Sequence, residues 1–515
     1  MPPQAASPPS VRPGWGCGGS RYVRRTPRLR RSGSALMATS CPKHVMLLVG
    51  EDTGLHLGCY GNGYATTPNL DRLASGGCRF TQAFTHSPVC APSRSGLVTG
   101  RYPWAIGTHA MRSTLLDPPR LFTHALREAG IHVAWPTKTD FNFEPPAGFA
   151  DTTDDWLETL AGSPPAGPAF FYRNFAATHE SRVWDVNPHG GKTYADTLAS
   201  LGADELHDPA AAPVPPYLPD TPQTRRDVAR YHDNLLMQDR EIGRALDALD
   251  AAGIADETLV IYLTDHGRGL PREKRWCYDA GIHLPLIVRW PGVIEPETVD
   301  DRLVAWVDVA PTILALMGVP VPPGGDGRVF LGEERAEPRA FVFAGRDRMD
   351  ANFDHVRVAR SKRYHYIRNG FPGLPYASHH GYMEHEPTLQ RMRDLHAAGE
   401  LHGDAALFMA VNKRPEELFD ARADPDCLRN LADDPEHSAA LAEHRRALDG
   451  FAASVPDLGL RDEADLIAEG LVADRLTGEY RPRVSTLAPE HRIGPERAPL
   501  TRAEAEALAR RRGPD

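Results

Sequence analysis

No stretch of this 515-residue chain approaches the roughly 18 consecutive apolar residues of a membrane-spanning helix, so no transmembrane segment is expected. Cysteine is scarce: Cys17, Cys41, Cys59, Cys78, Cys90, Cys277 and Cys427 are widely spaced, odd in number and contain no C-x-x-C pair. That excludes a disulfide-stapled fold, a zinc knuckle and a thiol-exchange motif, and it points to a reducing compartment. Excess positive charge is also missing. A formal net charge of -10 argues against a general nucleic-acid or anionic-membrane binder, although a local basic pocket could still take an anionic substrate. The first forty residues lack acidic side chains altogether, carry seven arginines, and contain no apolar run of the roughly 7 to 15 residues that a secretory signal needs. Segment 1–40 reads as a disordered tail, either a transit peptide or sequence ahead of a start at Met37, and a cytoplasmic location is expected.

After that tail the chain alternates between strand-like and helix-like patterns. His44–Gly50 is an almost continuous apolar run, which suits a strand buried on both faces of a parallel sheet. It ends in Glu51-Asp52. Pro68–Ser75 predicts a short helix begun by proline and stopped by Gly76-Gly77. Residues 224–252 form the longest helical pattern, with Val228, Tyr231, Leu235, Leu236, Ile242, Leu246 and Leu249 on one broad face and Gly253 at its stop. Residues 259–263 and 284–288 predict further strands, the first ending in Asp265-His266-Gly267. Acidic residues at strand carboxyl ends matter because open α/β sheets bind ligands there. Pro and Gly crowd together near residues 320–327, which places a boundary between a catalytic domain, 41–325, and a smaller C-terminal α+β domain, 326–480. Within the latter, 340–344, 355–359 and 363–368 predict short antiparallel strands, and about 438–451 predicts a helix. The charged, Pro-rich stretch 481–515 reads as a loosely ordered tail.

Cys90-Ala91-Pro92-Ser93-Arg94, followed by Leu97, Thr99 and Gly100, fills every fixed position of the pattern C-x-P-S-R-x-x-L-x-T-G. The segment resembles the signature of type I, formylglycine-dependent sulfatases in the alkaline phosphatase superfamily. The closing segment Glu417-Leu418-Phe419-Asp420 and Gly269-Leu270-Pro271 ahead of Lys274 are similar to the bacterial branch grouped with heparan N-sulfatase. The resemblance implies an α/β fold with a large mixed, mostly parallel sheet flanked by helices, and a smaller C-terminal domain of antiparallel sheet plus helix. It also implies that a formylglycine-generating enzyme oxidises Cys90. One hydroxyl of the hydrated aldehyde then attacks sulfur, and the other expels sulfate by collapse to the aldehyde. Covalent catalysis of this kind divides one hard substitution into two easier steps.

The same resemblance implies one divalent ion held by Glu51, Asp52, the oxidised Cys90, Asp265 and His266. Calcium is the first expectation because carboxylates dominate, with manganese the alternative because His266 stands where the family usually has Asn and Glu51 where it usually has Asp. Arg94 would steady the nucleophile. Lys138, in Thr137-Lys138-Thr139-Asp140, and Lys274, in Lys274-Arg275-Trp276-Cys277-Tyr278-Asp279-Ala280-Gly281, would contact sulfate as compact positive charges. His179 matches the histidine that protonates the leaving group. The family histidine two residues after Lys138 is Asp140 here, so Asp140 or Asn142 is the candidate to replace it. His109 and Arg112, shortly after the signature, are candidate substrate contacts.

These residues imply a sulfuric ester hydrolase acting on a small sulfated saccharide, as an O-sulfate or an N-sulfoglucosamine unit. No nucleic-acid or membrane partner is expected, and the sequence leaves the oligomeric state open. Two other readings stand beside it. A phosphodiesterase or phosphonate monoester hydrolase of the same superfamily is favoured by His266 and disfavoured by Ser93. A sulfated-glycan-binding protein that keeps Cys90 as a thiol would have no turnover.

Overall fold

Strand β1, His44–Gly50, is buried along its whole length, and its alternate side chains feed two different cores. Val45, Leu47 and Val49 face one apolar cluster, whereas Met46 and Leu48 face another on the opposite side of the sheet. A strand packed on both faces needs an unbroken apolar run, and this is why its sequence does not alternate. The structure, a computed structural model, describes residues 41–350 and 352–474. The stretch 1–40, with Cys17 and Met37, and the tail 481–515 lie outside the described residues.

Along the chain follow β2 (Cys78–Phe84), β3 (Ser113–Leu115), β4 (His132–Ala134), β5 (Ala169–Phe175), β6 (Thr258–Thr264), β7 (His283–Arg289), β8 (Thr298–Asp300) and β9 (Val304–Ala305). The main sheet has eight strands in the order β4-β5-β1-β6-β7-β2-β8, with β9 paired to β2. Pairings within β4-β5-β1-β6 and from β2 to β8 and β9 are parallel, whereas β7 runs antiparallel to both β6 and β2. The mixed, mostly parallel sheet is therefore present. Its single reversed strand has no signature in the sequence, because 284–288 is as apolar as its parallel neighbours. Gly50 sits opposite Phe175 on one side and Thr264 on the other, so the segments that begin with Glu51, Ala176 and Asp265 leave the sheet at one level. The long helix Pro222–Ala251 covers one face with Leu235, Ile242, Leu246 and Leu249, and Val309–Leu316 packs on the other.

A four-stranded antiparallel sheet, β10 (Val342–Arg346), β11 (Val356–Arg360), β12 (Tyr364–Asn369) and β13 (Glu416–Asp420), follows in that order. Its faces also alternate. Ala359, Tyr366 and Leu418 pack with Leu441 and Leu448 of helix Ser438–Ser454, while Val358, Ile367 and Phe419 join Trp104, Trp276 and Ile282 against the main sheet. Asp279, just before β7, locks this junction: Arg360 donates to it at 2.9 and 3.1 Å and His365 Nδ1 lies 2.6 Å away. β14 (Val472–Asp474) then returns to pair with β3. Among the described residues all six cysteines are free, and no helix is long and apolar enough to cross a membrane.

His232 on the long helix shows how burial couples this fold to pH. Its Nδ1–H donates to Val228 O at 2.8 Å, which leaves Nε2 as the acceptor for Asn62 Nδ2 at 3.3 Å. Burial, resisted by the Val228 carbonyl and reinforced by Arg268 and His207, holds its pKa down to about 3. The unfolded imidazole titrates near 6.5, so this stabilisation is complete above about pH 6.5 and is lost as pH falls toward 3. Urea titrations at pH 7, 5.5 and 4.5 should show the parent losing about 1.4 kcal/mol per pH unit more than His232→Gln below pH 6.5. Parallel pH profiles for the two proteins would contradict this reading.

Candidate active site

The nucleophile candidate opens a helix. Cys90–Thr99 is helical from Cys90 onward, with extended Val89 before it and left-handed Gly100 (φ 64°) closing it. Pro92 falls in the first turn, where a missing N–H breaks no helical bond, and Gly100 supplies the positive φ that ends the helix. Leu97 enters the main core. Thr99 Oγ1 donates to Ser95 O at 2.7 Å, and Ser93 Oγ donates to Asp265 O at 2.6 Å. Each fixed residue of the segment thus has a physical task in aiming the Cys90 side chain and the helix N-terminus into one spot. Backbone N–H groups converging there favour an anion.

Asp52, Cys90, Asp265 and His266 meet at that spot, with one potential ligand atom from each lying within 4.8 Å of the others. All four are buried. Asp265 Oδ1 accepts from Asp52 N at 3.0 Å and from His266 N at 2.9 Å, and its Oδ2 accepts from Arg94 Nη2 at 2.7 Å. Asp52 Oδ2 accepts from Glu180 N and Lys274 Nζ, both at 2.8 Å, whereas Asp52 Oδ1 is buried without a hydrogen-bond partner. His266 Nδ1 lies 2.9 Å from Gly267 O, which can only accept, so Nδ1 keeps its proton. Nε2 is then the atom that faces Cys90 Sγ at 3.1 Å and Asp52 Oδ1 at 3.4 Å. Burial opposes charge on this ring, but Asp265, Cys90 and Asp52 together push its pKa up to about 9. Gly267 must be glycine because a Cβ there would meet Ala280 O at 1.9 Å. An orphaned buried carboxylate oxygen, a second carboxylate and an imidazole Nε2 around one point fit a divalent cation. Asp52, Asp265 and His266, with the side chain of residue 90, are the residues that would hold it.

Glu51 is placed differently from the other four ligand candidates. Its carboxylate is taken by Lys138 Nζ and faces Arg94 Nη2 at 3.5 Å, outside that group of four. Despite burial, Lys138, His179 and Arg94 hold its pKa down to about 2. Arg94 is almost wholly enclosed; Tyr172 OH accepts from it at 2.8 Å and Asn174 Oδ1 at 2.6 Å. Glu180 accepts from both Arg275 Nη atoms at 2.8 Å and lies 2.7 Å from Lys274 Nζ. Asp52, His179 and Glu180 also cluster, but the Lys274 ammonium already bridges the two carboxylates.

Above this floor opens a cleft of about 340 Å³, lined by Cys90, Lys138, His179, Lys274 and Arg275 and walled by Arg112, Asp140, Asp350 and Tyr382. His179 Nδ1 lies 3.1 Å from Ser181 Oγ; burial, then Lys274, lowers its pKa. Arg112 Nε is 3.6 Å from Asp350 Oδ1, and Asp140 Oδ2 is 3.5 Å from Lys138 Nζ. Two substrate candidates stand elsewhere. Asn142 Nδ2 donates to Thr108 O and Ala110 O, both at 3.0 Å, and so braces a loop. Buried His109 does not line the cleft; its nearby charges are Asp347, Glu463, Arg357 and Asp457. Arg275, Glu180, Asp350 and Tyr382 have no motif that singles them out. One conformational signature does mark the place: Asp52, Arg112, Asp140, Arg275 and Asp350 all have positive φ (43° to 76°) without being glycine. Such residues cost about 1 to 3 kcal/mol each and concentrate where function fixes geometry.

The family model described as Sulfatase matches residues 43–150 and 147–319. The chain is 33% identical over 461 residues to an ulvan-active sulfatase of Formosa agariphila, covering 82% of this chain and 77% of that protein. It is 26% identical over 443 residues to human N-sulphoglucosamine sulphohydrolase, covering 78% and 88% respectively. Among solved structures, one in complex with its substrate D-glucosamine-2-N,6-O-disulfate aligns with a TM-score of 0.60 at 18% identity, covering 82% of this chain and all of that one. A phosphonate monoester hydrolase from Silicibacter pomeroyi aligns with a TM-score of 0.56 at 20% identity, covering 81% and 93%. These two likenesses establish the fold.

Arg94 and Lys138 both face Glu51, yet only Arg94 is sealed from water; the Lys138 side chain is 26% exposed. Removing one partner of a buried ion pair costs about 3 to 5 kcal/mol because an uncompensated charge is left inside. Arg94→Ala should therefore lower the unfolding free energy by about that amount in urea titration, and Lys138→Ala by clearly less. Equal losses would contradict the placement of the two cations.

Proposed function

The chain belongs to the sulfatase family, and from that premise we propose that it removes sulfate from a small sulfated saccharide through an oxidised Cys90 and one divalent cation. As a family member it is a hydrolase of sulfuric ester or sulfamate bonds. The observation that carries the finer reading is the convergence of Cys90, Asp52, Asp265 and His266 beneath a cleft ringed by Lys138, Lys274 and Arg275. Saccharide is the chosen class because the relatives act on ulvan and on N-sulphoglucosamine by their names, and because a cleft of about 340 Å³ has room for a sugar unit.

Formylglycine at residue 90, made by a formylglycine-generating enzyme, would supply a hydrated aldehyde whose one hydroxyl attacks sulfur and whose other expels sulfate. Calcium, with manganese as competitor, would supply Lewis-acid polarisation and charge neutralisation at Asp52, Asp265, His266 and residue 90. The chain's own side chains do the rest. Lys138 and Lys274 hold the sulfate oxygens while their pairing with Glu51, Asp52 and Glu180 keeps both ammonium groups charged. Arg94 fixes Asp265 and so the direction of its free lone pairs. His179 stands at the cleft to give a proton to the departing sugar oxygen or nitrogen. An incoming sulfate raises its basicity by adding negative charge nearby.

One observation favours a second reading, hydrolysis of phosphodiesters or phosphonate monoesters: the imidazole of His266 in the cation cluster. Screening the purified protein against sulfated mono- and disaccharides beside aryl phosphodiesters separates the two. Saccharide desulfation well above diester hydrolysis is expected, and the reverse ranking would overturn the proposal.

The proton role is tested on the same protein. His179→Ala should slow a sugar sulfate about 100- to 10,000-fold, while an activated nitrophenyl sulfate, whose leaving group departs almost unprotonated, loses far less. Equal losses on both would return His179 to sulfate binding or structure.

A further inference from the structure

Hydrolysis of a sulfate ester puts sulfate among the cations of the floor and leaves the sugar beside the proton donor. The surface that continues outward from His179 is therefore the surface the sugar meets. It is aromatic. Tyr382 lines the same cleft as Cys90 and Lys274, and its ring meets His179 edge-on with centroids 6.0 Å apart. Behind it, the exposed His189 stacks on Tyr382 at 5.0 Å and 14°, and buried Trp184 packs at 5.0 Å and 47°. Tyr382 precedes the short turn Met383–His385, far in sequence from the sheet that carries the floor. Burial, with a smaller push from Glu180 and opposed by a hydrogen bond with the Ser181 side chain, lifts its hydroxyl pKa to about 12, so the group is a neutral phenol already engaged by Ser181.

Such an arrangement suits a saccharide better than a bare sulfate. An aromatic ring locked by its neighbours offers a flat apolar wall at little entropic cost. Arg112 and Asp350, whose Nε and Oδ1 lie 3.6 Å apart, and Asp140 line the same cleft. They present polar groups of both signs, as a ring of hydroxyls requires.

We propose that Tyr382, held in place by His189 and Trp184, is the specificity-determining residue that receives the pyranose ring on the leaving-group side of the cleft. The inference rests on the saccharide reading above. It adds that selectivity for sugar sulfates over small aryl sulfates resides largely in this one side chain.

The experiment compares kcat/KM on a glucosamine-6-sulfate-containing disaccharide and on 4-nitrophenyl sulfate for the parent, Tyr382→Phe and Tyr382→Ala, with melting curves to show that each variant is folded. In Tyr382→Ala the disaccharide-to-aryl ratio should drop at least tenfold, mainly through KM for the disaccharide. Tyr382→Phe, which keeps the ring, should hold the ratio within about threefold of the parent. A second arm uses desulfated disaccharide as a product-state probe: titration should change Trp184-dependent fluorescence in the parent and Tyr382→Phe, but not in Tyr382→Ala at the same concentrations. A parent that cleaves the disaccharide while its ratio is unmoved by Tyr382→Ala overturns this inference alone. A parent that cleaves aryl sulfate but no sulfated saccharide overturns the saccharide reading and this inference with it.

Discussion

Everything at this site follows from four carboxylates forced together under the carboxyl edge of one sheet. Glu51 and Asp52 leave β1, Asp265 leaves β6 and Glu180 follows β5, all of them buried. Left alone they would repel one another or take up protons. The protein answers with three buried cations, Arg94 from the helix Cys90–Thr99 and the neighbours Lys274 and Arg275 from one turn, and with the partly exposed Lys138 from a separate loop. The compensation is incomplete at one point. Asp52 Oδ1 has no donor, and the His266 ring beside it is driven toward its charged form by the surrounding negative groups. That residual demand for positive charge, next to Cys90 Sγ, is the physical reason a cation belongs there.

The same cations make the cleft electrostatically suited to an anion. A protein with net charge -10 concentrates positive charge in one cleft, where Lys138, Lys274 and Arg275 meet the N-terminus of helix Cys90–Thr99. Because the lysines are paired to carboxylates below, they are oriented before substrate arrives, and little reorganisation is needed on binding. The antiparallel sheet completes the enclosure from the other side: Asp350 lies between β10 and β11, and Tyr382 follows β12. Arg360 and His365 on Asp279 tie that sheet to the element preceding β7, so wall and floor are held in register.

Much of this was legible from the chain alone because it is local. β1 and β6 announce themselves as unbroken apolar runs, their ends carry Glu51-Asp52 and Asp265-His266, and the residues from Cys90 to Gly100 form one compact pattern. What escaped the sequence is what tertiary packing decides. The reversed direction of β7 leaves no compositional trace. Glu51 and Asp52 are neighbours, yet Asp52 has φ 43° and turns toward Cys90 while Glu51 turns toward Lys138. Asn142 and Asp140 both adopt positive φ, but only Asp140 reaches the cleft; Asn142 spends its amide on Thr108 and Ala110. Arg275 and Tyr382 sit in segments without periodicity, and only the folded chain brings them beside Cys90.

The chemical state of residue 90 is the deciding feature, because a thiol at this position has no second hydroxyl with which to expel sulfate. Mass spectrometry of the peptide containing residue 90, from protein made with and without a formylglycine-generating enzyme, is the most direct test. Loss of the thiol and gain of a carbonyl oxygen should lower the peptide mass by about 18 Da, and specific activity should rise in proportion to the converted fraction. Full sulfatase activity in protein whose residue 90 is entirely unmodified cysteine would contradict it.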